Sequence, residues 1–357
     1  MTKLFDCDMH PMANGIEDFL PYIAQESWRE RFQAKEFTMS GRAMDRYYHP
    51  AGTTLRQDAV PPGGGLPGSD PQFTKVDYLD RMDIDVAVML PIQGSAVSSW
   101  TDPVAADVFS TASNDYFLDN WASFDPRLKM AITVSPLDPE ASAREIRRHK
   151  DNPAVIGIFM SLVNILMGNR YYYPIYEAAV ECGMPILVHP TGAEGCYLGA
   201  PVLSGGVPRG YAERRTLFPQ VAWSSITSMV FEGVFQRYKD LKIVLTEFGF
   251  SWVPPLMWRM DKEWAAFRIE VPWIDVPPSE FVFDNVFFTT QPMDEPKDLS
   301  KLWEIMEMMN GERTLLFSSD YPHWDIDEPD YVLKRLPEGM RQSVAYDNAA
   351  RVFAERL

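Results

Sequence analysis

The first residues able to do chemistry lie near the start of the chain, in Asp6-Cys7-Asp8-Met9-His10. At the two-residue period of a β-strand, Asp6, Asp8 and His10 face one way and Cys7 and Met9 the other. Carboxylates and an imidazole on a covered face need a partner of opposite charge or a metal. Asp8 and His10, at the end of such a strand, are placed to grip one ion together. The same event recurs along the chain. The run Pro185-Ile186-Leu187-Val188 stops on His189, and Ile243-Val244-Leu245-Thr246 stops on Glu247. Leu315-Leu316-Phe317-Ser318-Ser319 stops on Asp320, with His323 close behind. Three of the five histidines fall in this set. Each residue alone would pass for a helix-capping carboxylate or a hydrogen-bonded core histidine. Ionisable groups at the ends of several separate strands are what a metal site requires.

The elements that must position these groups are short apolar runs at residues 4–9, 86–90, 129–134, 155–159, 185–188, 242–246, 286–290 and 315–318. Segments of helical period lie at 104–124, 140–149, 174–182, 225–238, 252–268 and 299–309, followed by a C-terminal set over 329–357. Strands alternating with helices of this length indicate βαβ units and a parallel sheet. Eight of them in a chain of 357 residues predict a closed (β/α)8 TIM-like barrel, a single domain over residues 1–357. A doubly wound open sheet is the competing architecture, which would ordinarily use fewer strands. Two long insertions follow strands, 11–75 after the first and 191–222 after the fifth. Both are therefore expected on the C-terminal face, where barrel enzymes keep their active sites.

Composition narrows the function. Lys and Arg total 33 against 50 Asp and Glu, for a net charge of -17. A field of that sign repels phosphate backbones, so no nucleic-acid role and no basic membrane-surface role is expected. No apolar run reaches the length of a membrane span. The start, MTKLFDCDMH, lacks an apolar secretory region, and three irregularly spaced cysteines make no disulfide framework, so a cytoplasmic protein is expected. Cys7, Cys182 and Cys196 stand in no nucleophile context. Trp252, Leu256, Met257, Trp258, Met260 and Trp264 read as a helix packing face. Trp324, beside His323, is a candidate for lining a substrate pocket. Arg46-Tyr47-Tyr48-His49 reads as loop packing, with binding of an acidic substrate as the alternative. Gly63–Gly65 is loop material, since no Lys-Ser/Thr follows to make a phosphate cradle.

The segments DCDMHP, ILVHPTG, VLTEFGFSWVPPLMWRMDKEW and LLFSSDYPHWD, in this order, resemble the amidohydrolase superfamily. The branch in question is the amidohydrolase-related one, which contains the aminocarboxymuconate-semialdehyde and resorcylate-type decarboxylases. The resemblance runs from Asp6 to about Asn348. It implies a (β/α)8 barrel with a divalent metal at the C-terminal face, held by Asp8, His10, His189 and Asp320. Two departures matter. Asp8-Met9-His10 stands where many members have His-x-His, and Glu247 stands where the decarboxylases carry a histidine as general base.

If Glu247 and His323 also bind metal, the set Asp8, His10, His189, Glu247, Asp320 and His323 exceeds what one ion needs. That ligand set is similar to the non-haem dinuclear iron monooxygenases built on this barrel. The expectation drawn is a metalloenzyme acting on a small, carboxylated organic molecule. Two transition-metal ions, iron with or without zinc or manganese, would activate O2 for hydroxylation, with Glu247 and His323 at the reacting centre. The alternative is a single zinc or manganese on Asp8, His10, His189 and Asp320, with Glu247 as general acid/base for decarboxylation or hydrolysis. A third reading is a non-catalytic barrel subunit. The resemblance also implies association, as a homodimer or as a hetero-oligomer with a related subunit.

Overall fold

The computed structural model describes residues 3–34, 54–190, 203 and 206–357. Eight strands follow one another in space as in sequence: β1 Phe5–Met9, β2 Val86–Met89, β3 Leu128–Val134, β4 Val155–Ser161, β5 Ile186–His189, β6 Ile243–Leu245, β7 Val286–Thr289 and β8 Leu315–Leu316. Every neighbouring pair is parallel. The first strand then meets the segment that follows the last. Cys7 N donates to Phe317 O at 3.0 Å and Asp320 N donates to Asp8 O at 3.0 Å. The architecture is the expected (β/α)8 barrel. Its strands read as near-continuous apolar runs because both of their faces are covered.

Two apolar clusters divide those faces. Phe5, Cys7, Val88, Ala131, Phe159, Leu187, Val244, Phe287 and Leu316, from all eight strands, pack together as the barrel interior. Ala349, Val352 and Phe353 of the last helix close it from below, with the Phe353 ring stacked on Phe5 at 5.5 Å. Lys242 at the foot of β6 donates to Val352 O, which pins that helix to the N-terminal end. The opposite faces, with Met89, Ile132, Ile158, Val188, Leu245 and Phe288, pack on the surrounding helices.

This division corrects the expected alternation in β1. Register shifts between Asp6 and Met9. Cys7 consequently points into the barrel and only Met9 joins the outer cluster. Asp6 turns outward, where the Tyr78 hydroxyl donates to Oδ2 at 2.7 Å. A single extra residue reverses the face of everything after it, so the bulge is what delivers Asp8 and His10 to the barrel mouth. Asp6 stabilises it: Oδ1 accepts from the backbone N–H of Asp8 and of Ser319, each at 3.0 Å.

Helix boundaries differ at identifiable residues. The expected helix over 225–238 begins earlier, at Pro219–Phe231, and breaks at Gly233, whose φ of +75 is left-handed, before Val234–Arg237. The tryptophan-rich helix is Val253–Ala266, with Leu256, Met257 and Met260 buried as expected and Trp258 57% exposed. Further helices, unmarked in the sequence reading, include Glu26–Gln33, Tyr211–Leu217 and Pro278–Asn285. No helix among the described residues is long and apolar enough to cross a membrane.

The described part of the first insertion lies against the loop after β8, on the C-terminal face. Arg56 N donates to Pro322 O at 2.9 Å, Trp324 N donates to Thr54 O at 2.8 Å, and Met12 N donates to Gly68 O at 2.8 Å. Gly68 has a φ of +74, and a Cβ there would stand 3.0 Å from His10 O and from Pro322 Cγ. Arg46, Tyr47, Tyr48, His49 and Cys196 lie outside the described residues.

Because Phe353 closes the barrel at the end opposite its mouth, stability and metal binding should separate there. Phe353→Ala removes a fully buried ring and is expected to cost about 3–5 kcal/mol. Urea unfolding checks the loss, and metal content of the folded variant should match the parent.

Candidate metal centre

The site is assembled from strand ends. His10 follows β1, His189 ends β5, Glu247 stands two residues beyond β6, and Asp320 lies in the loop after β8. Asp8, His10, His189 and Asp320 each bring one donor atom into a group lying within 4.8 Å of one another. Asp8, His10 and Asp320 are fully buried and His189 is 1% exposed. Among the described residues these four make one cluster, with Glu247 and His323 beside it. That geometry converges on one point and gives no support to the expected two-ion iron centre.

Orientation of the ligand atoms comes from the groups behind them. His10 Nδ1 meets the Leu90 carbonyl oxygen at 2.8 Å, and His189 Nδ1 meets that of Pro190. A carbonyl only accepts, so Nδ1 carries the proton in both rings and Nε2 is left to face the centre. His10 Nε2 then lies 2.9 Å from Asp320 Oδ1 and 3.3 Å from Asp8 Oδ1. His189 Nε2 lies 3.6 Å from Asp8 Oδ2. A lone pair facing carboxylate oxygens is repulsive unless a proton or a cation stands between them. Asp8 Oδ1 and Oδ2, His189 Nε2 and Asp320 Oδ2 are moreover buried without a hydrogen-bond partner. Orphaned buried polar atoms are costly, and three of the four clustered residues carry them, which is what a divalent cation satisfies. The residues fit a metal.

Backbone strain marks the same place. Glu247 and Asp320 have φ of 61 and 64, the left-handed region that non-glycine residues avoid. Such conformations cost on the order of 1–3 kcal/mol each and persist where the surroundings over-determine them. Here the Asp320 N–H is held by Asp8 O, and Glu247 N–H is held by Thr289 Oγ1 at 3.3 Å.

Electrostatics separates the two flanking residues from the four. Burial, reinforced by Asp320, lifts the Glu247 carboxyl to about 7, although Arg215 pulls it back. Burial disfavours charge on His323, but the adjacent Asp320 carboxylate outweighs it and lifts the imidazole to about 9. Burial and the neighbouring His10 push His189 well below its ordinary value, which keeps it a neutral donor. Burial also raises Asp8. His323 Nδ1 is engaged by Asp320 Oδ1. Glu247 Oε2 is 3.4 Å from His189 Nε2, and its Oε1 is 3.3 Å from Arg215 Nη2. Trp324 stands at the mouth, half exposed, with the Arg215 guanidinium 5.7 Å from its ring centre.

Sequence reasoning missed Arg215, Asp325 and Gln291. Arg215 Nη2 bonds Asp325 Oδ2 as well as Glu247, and Gln291 Nε2 donates to Asp325 Oδ2 at 3.3 Å. The strand-end rule that found the other residues, applied to β7, would have found Gln291. For Arg215 no local signal exists, since its insertion reaches the site only through tertiary packing.

Replacing His189 with Ala removes a donor at the mouth and leaves the packed interior untouched. Metal affinity should fall by more than the roughly 10–100-fold that loss of even an outer partner costs. Equilibrium dialysis with metal analysis reads this, and an unchanged circular dichroism spectrum should accompany it. Full retention of metal would remove His189 from the ligand set.

The amidohydrolase family model matches residues 5–354. A gamma-resorcylate decarboxylase from Polaromonas sp. is 24% identical over 308 residues, covering 80% of this chain and 87% of that protein. The solved 5-carboxyvanillate decarboxylase from Sphingomonas paucimobilis is 19% identical and superposes with a TM-score of 0.69 over 99% of both chains. A dihydroxybenzoic acid decarboxylase from Polaromonas sp., solved with bound manganese and 2-nitroresorcinol, is 17% identical, with a TM-score of 0.66 over 99% of this chain and 97% of that one. At such identities the solved structures speak for the fold, and the family match speaks for descent. A match running from the first strand to the last helix leaves one assignment: the chain belongs to the amidohydrolase family.

Proposed function

We propose that this protein is a metal-dependent decarboxylase of a hydroxylated aromatic carboxylic acid, using one divalent ion held by Asp8, His10, His189 and Asp320. The observation that carries the reading is the buried cluster of one donor atom each from Asp8, His10, His189 and Asp320, three of which carry polar atoms without a hydrogen-bond partner. The substrate class rests on relatives that decarboxylate resorcylate and carboxyvanillate. These relatives favour the non-redox alternative over O2-dependent hydroxylation. So does the employment of the two surplus residues: His323 is bonded to Asp320, and Glu247 is ion-paired with Arg215. Two carboxylates and two imidazoles suit manganese or zinc.

When bound, the ion supplies Lewis acidity toward an anionic oxygen of the substrate. The rest falls to the chain. Decarboxylation of an aromatic acid requires a proton delivered to the ring carbon that bears the carboxylate. Carbon–carbon cleavage then releases CO2 and returns the bonding pair to the ring. Glu247, largely covered and raised to about 7, can hold that proton near neutral pH and release it inside the mouth. Water afterwards restores it. His323, engaged with Asp320, holds that ligand in orientation from behind. Trp324 offers a half-exposed aromatic face against which a ring can lie.

The test is CO2 release from a panel of ortho-hydroxylated benzoic acids by the manganese- or zinc-loaded protein. Glu247→Gln keeps size but cannot donate a proton, so kcat should fall roughly 10²–10⁴-fold while metal content stays at the parent level. Loss of metal in that variant would make Glu247 a ligand and revive the two-ion arrangement.

A further inference from the structure

A carboxylate stands at position 247 where the resemblance places an imidazole, and an acid in that place needs something to hold it. The structure provides a chain of contacts that ends on it. Gln291, fully buried just beyond β7, donates through Nε2 to Asp325 Oδ2 at 3.3 Å. Asp325 engages Arg215 Nη2, and the same nitrogen donates to Glu247 Oε1 at 3.3 Å. Glu247 Oε2 is left 3.4 Å from His189 Nε2. The guanidinium also lies 5.9 Å from the Tyr211 ring centre and 5.7 Å from that of Trp324. Arg215, Asp325 and Glu247 side chains are only 20%, 18% and 12% exposed, so solvent screens these contacts weakly.

We propose that Arg215, held in place by Asp325 and Gln291, is a positioning residue that orients the Glu247 carboxyl toward the metal centre. This rests on the reading of Glu247 as proton donor. Three physical points support it. The Arg215 Nη2 that donates to Glu247 Oε1 is itself held by Asp325, so one charge-assisted contact gives the carboxyl a preferred direction. Glu247 reaches the centre from a strained left-handed backbone, so its side chain needs a second anchor to keep one direction. And Arg215 comes from the helix Tyr211–Leu217 in the second insertion, so that helix contributes to the geometry around Glu247.

The experiment uses the metal-loaded enzyme with Arg215→Gln, Arg215→Lys and Asp325→Asn. A charge-assisted contact of this kind is expected to be read as a fall of about 10–100-fold in kcat for Arg215→Gln. KM and metal content should change little, Arg215→Lys should recover part of the rate, and Asp325→Asn should move in the same direction. In crystals of Arg215→Gln the Glu247 carboxyl should leave its place beside His189. Parental kcat would overturn the proposal, as would a rise in KM alone, which would make the guanidinium a substrate-binding group. If Arg215→Gln does not fold, Asp325→Asn decides by the same two criteria. If the parent releases no CO2 from any acid of the panel, the decarboxylase reading fails on its own. The crystal comparison then still decides the positioning role, and an unmoved Glu247 overturns it.

Discussion

Everything at the mouth of this barrel depends on keeping two buried carboxylates and two buried imidazoles within a few ångströms of one another. Asp8 and Asp320 are both fully enclosed, and four side-chain polar atoms of the clustered residues find no hydrogen-bond partner. Removing an ionised carboxylate from water costs several kcal/mol even after relaxation. Such an arrangement survives in a folded protein when a cation completes it. The barrel brings together groups far apart in sequence, such as His10 and Asp320, separated by 310 residues. The bulge in β1 turns Asp8 and His10 inward, and the hydrogen bond from Asp320 N–H to Asp8 O fixes the two acidic ligands relative to each other.

Around that centre the charges are arranged in order. Backbone carbonyls of Leu90 and Pro190 set the protonated nitrogen of each ligand imidazole. His323 sits behind Asp320, and Glu247 sits between His189 and Arg215. Asp6, buried outside the four-residue cluster, is lifted to about 6 by burial against the pull of its hydrogen bonds to Ser319, Tyr78 and Asp8. Its carboxylate ties the backbone of Asp8 to that of Ser319, next to Asp320. Acidic groups at this mouth therefore divide by partner. In the proposed reading Asp8 and Asp320 hold the metal, Asp6, which faces backbone N–H groups, holds shape, and Glu247, one of two acids that face Arg215, moves a proton.

Much of this was legible in the residues. Parallel strands covered on both faces leave uninterrupted apolar runs, so all eight strands could be read within a few residues of where they lie. An ionisable residue ending such a run is equally conspicuous, which is how Asp8, His10, His189 and Asp320 stood out. What could not be read has a physical cause in each case. A period of two carries no notice of a bulge, so strict alternation puts Cys7 outward, whereas it fills the barrel. Gly233 breaks a helix whose apolar pattern continues past it. Arg215 arrives from an insertion whose path depends on contacts made only in the folded chain. The surplus of acid and imidazole suggested two ions, because counting side chains does not reveal that His323 and Glu247 are already engaged by Asp320 and Arg215.

The most direct test of a one-ion, non-redox centre is to measure metal stoichiometry and oxygen uptake on the same preparation during turnover. Elemental analysis should give about one divalent ion per chain, with CO2 released at the same rate in air and under anaerobic conditions and no O2 consumed. Two ions per chain, with O2 consumed in proportion to product, would contradict it.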